Sequence, residues 1–430
     1  MRERKKILKT ISALSEIAAL FRIFSAISMK MAGEMAIKIG MGLSTKRDSL
    51  KGTQEAVREA RLNLQSQKID LAVVFSSLDF AHVTVFRTIN NLLGPVPLIG
   101  CSSLAIISNQ GIFKHGLAIM LLSFSADIYF STACVKEISV KPIADAGREL
   151  GEKLLYGFRG IRRDLSMIFS DGLISDGSSF ITGLQEKLGM SFPLAGASAS
   201  DNLAFKRTYL YFNEEVLSDA ACGVLWGGKL NFGLGIKHGW KPLGKPHRVT
   251  KSTGNIVYEI DNAPAVNMYK EYLAYDLAKL RQELKHVSIF YPIGIYLAGE
   301  DEYLLRNILL IQDNGSLIFQ GNVPQDSRIR LMIGTKESCL TATSQALNEA
   351  KDALLGRQLG CVFIFDSVSR YMLLGRQAKK ELEIIKENLD KDTPIIGLYT
   401  YGEQAPLKAL NYQGRTYFHN QTITILGIGG

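Results

Sequence analysis

The chain has 430 residues, too many for one ordinary core, and its 47% hydrophobic and 21% charged content is a globular balance that leaves no case for disorder or collagen-like repetition. Of its formal charge of +9, residues 1–34 carry +4 through seven Lys/Arg against three Asp/Glu; the remaining +5 forms no dense basic stripe, which argues against nucleic acid as a partner. Five widely spaced cysteines, Cys101, Cys134, Cys222, Cys339 and Cys361, contain no CxxC pair, which argues against a disulfide framework or zinc knuckle and for a reducing, cytoplasmic compartment.

Residues 1–34 open basic and turn apolar, but Glu16 and Arg22 interrupt the run, so it neither spans a bilayer nor makes a signal h-region. Leu14, Ile17, Phe21 and Phe24 share one helical face, and Ser12, Ser15, Glu16 and Arg22 the other. Such a basic amphipathic helix suits a membrane surface or a partner, and equally a terminal helix docked on its own protein or an upstream extension. It is the one segment through which membrane contact is expected.

A helix is expected from Ser49 to Gln65, and then a pattern occurs three times. Asp70–Ser77 is followed by a helical stretch and Pro97–Ser103; Asp164–Asp171 by a helical stretch and Pro193–Asp201; Cys361–Ser367 by a helix and Pro394–Glu403. The short continuous apolar runs are those of strands covered on both faces, and a helix between two of them is a βαβ-type crossover. A further apolar strand follows each copy, at Leu117–Phe124, Ala221–Trp226 and Thr422–Ile428. Between the second and third copies, Gly- and Pro-rich Gly233–Pro246 marks a boundary, and Pro264 opens a helix to about Lys285. Asp313-Asn-Gly315 joins Ile308–Ile311 to Leu317–Phe319 as a hairpin, and Leu340–Leu355 is a helix capped by Gly356. The fold class is therefore α/β, with mixed sheets built from repeated strand–helix–strand–Gly-turn units plus antiparallel additions, in two domains at 35–232 and 233–430 behind the 1–34 extension.

Catalytic and cofactor motifs are weak. Gly196-Ala-Ser198-Ala-Ser200 lacks the last glycine of a nucleophile elbow; the first copy, Gly100-Cys101-Ser102, carries a cysteine one step earlier, and the third reads Gly397-Leu398-Tyr399. The six histidines show neither HxH nor HExxH spacing, so no metal site is supported. Gly233-Leu-Gly235 with Gly239 misses the dinucleotide fingerprint, and no Walker A sequence occurs, so no cofactor is expected. The polar turn residues are more telling as a set: Ser76, Ser77, Asp79; Ser170, Asp171; Asp366, Ser367, Arg370; and Cys101, Ser102, Ser103, Ser198, Asp201, Tyr399, Tyr401 and Glu403. In α/β sheets ligands bind beyond the carboxyl ends of strands, where such turns converge, although Ser, Asp and Gly are also simply good turn residues.

The ordered series Pro97-Leu-Ile-Gly-Cys-Ser-Ser103, Gly196-Ala-Ser-Ala-Ser-Asp201, Val249-Thr-Lys-Ser-Thr-Gly-Asn255 with Tyr258–Asp261, Phe319-Gln-Gly-Asn-Val-Pro324, and Tyr399-Thr-Tyr-Gly-Glu403 with Phe418-His-Asn-Gln-Thr422 resembles FIST proteins over residues 35–430. The resemblance implies a FIST N domain followed by a FIST C domain, a sensory role and a small ligand, with amino acids among the candidates. It departs from the family at Leu104-Ala105-Ile106, where the family continues Ala-Gly-Glu, and at Ser367, where the family often has Cys. No output module is visible, so signalling calls for a separate protein partner. The rival readings are a hydrolase using Cys101 or Ser198, and an adaptor without ligand.

The ligand site is expected at the third copy. Arg370 offers a planar fork to a carboxylate and Glu403 accepts from an ammonium group, with Tyr399, Tyr401, His419, Asn420 and Ser367 nearby and Cys101, Ser102, Ser198 and Asp201 at the matching turns. The alternative is that Arg370 and Glu403 pair only with each other. Because the family pattern begins near Ile37, deleting residues 1–34 should leave the melting temperature nearly unchanged; a large drop in a thermal melt would place that segment in the core.

Overall fold

Six strands in one fixed spatial order occur three times along the chain. The computed structural model describes residues 36–158, 160–174, 176–300, 302–407 and 414–429; the extension expected at 1–34 lies outside the described residues. The first unit holds β1 (Ile37–Ser44), α1 (Ser49–Leu64), β2 (Leu71–Ser77), α2 (His82–Leu93), β3 (Leu98–Ser103), β4 (Ile106–Ser108), β5 (Gly111–Phe113) and β6 (Leu117–Phe124). The second holds β7 (Ile128–Lys136), α3 (Ile143–Leu155), β8 (Arg163–Ser170), α4 (Gly177–Leu188), β9 (Leu194–Ser198), β10 (Leu210–Phe212), β11 (Glu215–Leu217) and β12 (Ala220–Gly228).

The third unit starts at β13 (Phe232–Lys237) and is then interrupted. The insertion holds β14 (Trp240–Thr253), β15 (Ile256–Ile260), β16 (Ala263–Pro264), α5 (Val266–Leu273), α6 (Leu277–Gln282), α7 (Leu284–Phe290), β17 (Ile293–Ile295), β18 (Leu304–Arg306), β19 (Ile308–Ile311), β20 (Leu317–Phe319) and β21 (Arg328–Gly334). The unit resumes with α8 (Lys336–Ala353), β22 (Leu359–Ser367), α9 (Val368–Leu374), α10 (Ala378–Glu387), β23 (Ile395–Thr400), β24 (Gly402–Pro406), β25 (Thr416–His419) and β26 (Ile423–Gly429).

The three sheets run β1-β6-β2-β3-β10-β11, β7-β12-β8-β9-β24-β25 and β13-β26-β22-β23-β4-β5. In each, the two strands joined by a crossover helix are parallel and the other pairings antiparallel. The outer hairpin of every sheet comes from a different unit. Hairpin β10-β11 of the second unit completes the first sheet, β24-β25 of the third completes the second, and β4-β5 of the first completes the third. The exchange closes into a ring, and the second and third sheets draw on both sides of residue 232.

Phe75, Phe169 and Phe365 occupy the same register, each one step past the residue opposite a glycine of the parallel partner. Phe169 packs edge-on against both others, with ring centroids 5.4 Å from Phe75 and 5.9 Å from Phe365. The glycines Gly100, Gly196 and Gly397 lie inside β3, β9 and β23 rather than at turns. A Cβ there would fall 1.8, 2.1 and 2.6 Å from the carbonyl oxygens of Val74, Ile168 and Ile364 on the neighbouring strands.

The segment expected to be a boundary, Gly233–Pro246, is strand: β13 and the start of β14. Its glycines serve packing, since Cβ atoms on Gly233 and Gly235 would meet the Ala350 and Ala346 carbonyl oxygens of α8 at 1.9 and 1.8 Å. The helix expected from Pro264 to Lys285 is broken as well. Pro264 belongs to β16, the left-handed Ala274 ends α5, and Asp276 caps α6 by accepting from Lys279 N. The Asp313–Gly315 hairpin joins β19 to β20 as expected. The insertion builds its own core around Val249, Val257, Tyr269, Leu280, Phe319 and Leu331. Among the described residues no helix is long and apolar enough to cross a membrane.

Truncating the central ring should be felt by all three sheets. Phe169→Ala is expected to cost about 3–5 kcal/mol in urea denaturation, with one cooperative transition retained. A cost under about 1 kcal/mol would contradict this packing.

Candidate ligand site

Arg370, in the first turn of α9, is fully buried and fully occupied. Its Nε donates to Asp366 Oδ1 (2.9 Å), Nη1 to the His238 carbonyl (2.6 Å), and Nη2 to the Cys339 carbonyl (3.0 Å), Thr343 Oγ1 (2.8 Å) and the Glu381 carboxylate. Neither expectation for it therefore holds. No fork is left for a carboxylate, and among the described residues its ion pairs are with Asp366 and Glu381, not Glu403. Burial, followed by repulsion from Glu381, pushes the Asp366 carboxyl well up against the pull of Arg370.

Glu403 is buried beside this network. Its Oε2 accepts from Thr422 N (3.1 Å) and Thr422 Oγ1 (2.8 Å), and the Thr400 hydroxyl lies 3.4 Å from Oε1. Burial pushes its carboxyl up to about 8, against those donors and Arg370. His419, opposite Glu403 in the ladder, donates through Nε2 to the Ala405 carbonyl (2.9 Å), and burial lowers it to about 3, so it is neutral.

The other expected residues mostly fasten the units together. Asp201 accepts from the backbone amides of Ala204, Phe205, Lys206 and Arg207 at 2.9–3.3 Å and from the Tyr401 hydroxyl. Ser102 Oγ donates to the Ser200 carbonyl (3.2 Å) and accepts from Tyr209 N (3.0 Å). The Tyr399 carbonyl accepts from Ser103 Oγ (2.9 Å), while its ring lies 4.6 Å from that of Tyr371. Ser367 caps α9 by accepting from Ser369 N. Ser198 Oγ meets Ser170 Oγ at 2.9 Å. The buried Cys101 thiol is pushed well up by burial and then by Cys222, the reverse of an activated nucleophile. Among the described residues neither Cys101 nor Ser198 hydrogen-bonds a histidine or carboxylate, as a hydrolase nucleophile requires.

Asn420 leads to a different place. The loops of the insertion press against α4, α9 and the end of β25, forming a polar seam. Asn307 N points at Asn420 Oδ1, and Asn307 Nδ2 at Gln320 Oε1 and Ser369 Oγ, all at 3.5 Å, the outer limit of a hydrogen bond. Gln320 Nε2 donates to the Tyr401 carbonyl (2.6 Å), and Gln421 Nε2 to the Ser288 carbonyl of α7 (2.8 Å). Asn307 Oδ1, Asn322 Oδ1, Asn420 Nδ2 and Gln421 Oε1 are buried without a protein partner. Arg306 pins the seam, donating to the carbonyls of Asn322 (3.0 Å) and Phe418 (3.0 Å) and to Ser178 Oγ (3.3 Å). It forms no ion pair among the described residues, and burial lowers it to about 10 despite the attraction of Asp176.

Of this seam only Asn420 was singled out from sequence. Gln320 and Asn322 stand inside the Phe319–Pro324 motif, whose position in the ordered series was the available signal. Gln421 stands likewise inside the Phe418–Thr422 motif, whereas Arg306, Asn307 and Ser369 carry no such signal, because their meeting depends on how the insertion folds back.

The FIST N domain model matches residues 70–263, and the FIST C domain model residues 265–406. An uncharacterized protein of Methanocaldococcus jannaschii is 24% identical over 357 residues, covering 75% of this chain; the chain spans 66% of that relative's length. An uncharacterized protein of Mycobacterium tuberculosis is 24% identical over 390 residues, covering 87% of this chain and 96% of its own. Among solved structures, a cyanuric acid hydrolase from A. caulinodans shares 10% identity over 45% of this chain and 72% of its own, with a TM-score of 0.27, too low to carry an argument.

The raised carboxyl of Glu403 has a measurable sign. A folded value of about 8 against an ordinary 4.5 gives stability that is present below pH 4.5 and is lost as pH rises through 8. Glu403→Gln should therefore gain stability over wild type at pH 8.5 relative to pH 5. Equal urea midpoint differences at the two pH values would show that Glu403 is not buried as described.

Proposed function

Because the chain belongs to the FIST family, with the N domain followed by the C domain, we propose that it is a sensory protein whose small polar ligand binds in the seam between the insertion and the ring of units. FIST domains serve sensory, signal-transduction roles. The observation that carries the placement is the set of four orphaned amide atoms on Asn307, Asn322, Asn420 and Gln421. Leaving a buried polar group unpaired costs about 1–3 kcal/mol each. A ligand that meets them turns that cost into binding energy.

The chemistry of the seam favours amide and hydroxyl groups over a free carboxylate. Arg370 is spent on Asp366 and Glu381, and Arg306 on carbonyls, so an amino acid's carboxylate would find no open guanidinium fork. Asn420 Nδ2 can donate, while Asn307 Oδ1 and Gln421 Oε1 can accept, which suits a neutral group carrying both functions. The seam is closed, so entry requires the insertion to swing away from the ring. Its two attachments, β13 to β14 and β21 to α8, lie side by side, since Trp240 pairs with Gly334. Occupancy would then bias an open–closed equilibrium that a separate signalling protein reads. Free cysteines, four of the five buried, support a reducing, cytoplasmic setting.

Native mass spectrometry of freshly purified protein should reveal a co-purified small molecule. Asn307→Ala and Asn420→Ala should each reduce the bound fraction, and the double variant should lose about tenfold or more in affinity. A ligand retained equally by wild type and double variant would move the site elsewhere.

A further inference from the structure

The exposed face of the insertion's sheet carries a second feature, independent of the seam. Arg248 stands directly opposite Arg328 in the β14–β21 ladder, and Tyr296 N donates to the Arg328 carbonyl from the other side. One row across the sheet therefore reads Arg248, Arg328, Tyr296. Two residues along β21, Arg330 pairs with Gly294. That position must be small, because a Cβ would lie 2.7 Å from Met332 Sδ and 2.9 Å from Tyr303 Cβ. The glycine lets Tyr303 lie across the strand, edge-on to Tyr296 at 6.2 Å. With Pro246 as the far wall, these side chains enclose a hollow of about 180 Å³ lined by Tyr296, Tyr303, Arg328 and Arg330.

Like charges placed opposite each other destabilise a sheet, and among the described residues the three guanidinium groups have one carboxylate partner, Asp326, which pairs with Arg248 at 2.7 Å. Arg328 lies over the Tyr296 ring, 5.6 Å from its centroid, and neither it nor Arg330 forms an ion pair among the described residues. Alternate residues of a strand are about 7 Å apart, so two guanidinium groups rising from Arg328 and Arg330 flank one site rather than sharing one point. A tetrahedral dianion offers oxygens to both, whereas a planar carboxylate is satisfied by one.

We propose that this hollow binds the phosphate group of a phosphomonoester, with Arg328 and Arg330 as the clamp and the tyrosine hydroxyls and ring edges completing the rim. The volume suits the phosphate group itself, with the remainder of the ligand lying outside over Tyr296 and Pro246. Since the seam residues take no part, the proposal stands or falls separately from the ligand reading above.

Isothermal titration of the full chain at low salt with inorganic phosphate and with acetate tests it. Phosphate should bind saturably, at least about tenfold more tightly than acetate, and weaken as salt is raised. Arg328→Gln with Arg330→Gln should reduce phosphate affinity about tenfold or more without lowering the melting temperature, because Arg328 is exposed, Arg330 is only half-buried and the opposed charges are relieved. Lys336→Gln, a lysine outside the hollow, should leave phosphate affinity unchanged. Absence of saturable phosphate binding up to about 10 mM, equal affinity for acetate, or unchanged affinity in the double variant would overturn the proposal.

Discussion

Each sheet of the ring ends on a hairpin lent by another unit, and the rest of the molecule depends on that exchange. A strand left at the edge presents unpaired amides and carbonyls. Here β3, β9 and β23, the strands whose carboxyl ends carry the polar residues, are covered by β10, β24 and β4. The loan also sets the contents of the centre. Glu403 enters the second sheet because β24 pairs with β9, and Tyr399 meets Ser103 because β4 runs beside β23. No unit completes its own sheet, so folding must bring together residues nearly three hundred positions apart, such as Ser103 and Tyr399. Contacts so distant in sequence are those that slow folding.

Charge inside such a ring serves cohesion before recognition. Arg370 gathers α8, α9, α10, β22 and the end of β13 onto one guanidinium, and removing either carboxylate would leave a buried charge short of its partner. The seam differs in kind. Its groups are mostly neutral amides, with Asn307 held only at the limit of hydrogen-bonding distance, and the cation Arg306 is held mainly by carbonyls. Groups held weakly in one arrangement are the ones a ligand can recruit, whereas a saturated ion network resists rearrangement.

Much of this architecture was legible along the sequence wherever a local pattern determines it. The apolar runs at Asp70–Ser77, Asp164–Asp171 and Cys361–Ser367 are strands, and Asp313-Asn-Gly315 is a hairpin turn. Reading failed where tertiary packing decides. Gly233 and Gly235 looked like linker residues because glycine marks both loops and close approaches, and only the presence of α8 against β13 distinguishes them. Arg370 and Glu403 looked like a matched pair because both follow strands of the third copy. Asp366 and Glu381, four and eleven residues from Arg370, reach it first. Asn307 and Ser369 could not have been found from spacing, since their meeting is made by an insertion folding back on the ring.

The pairing of Trp240 with Gly334 means that the insertion leaves and re-enters the ring at neighbouring rungs of one ladder. A segment whose ends nearly touch asks little of the scaffold except a short doorway, and its main core is built from its own residues, with Tyr417 of β25 packed against it. The polar face that closes the seam can therefore be rewritten, lengthened or traded as a cassette while the three-sheet ring keeps its register. A lineage of such proteins could change what it senses without relearning how to fold.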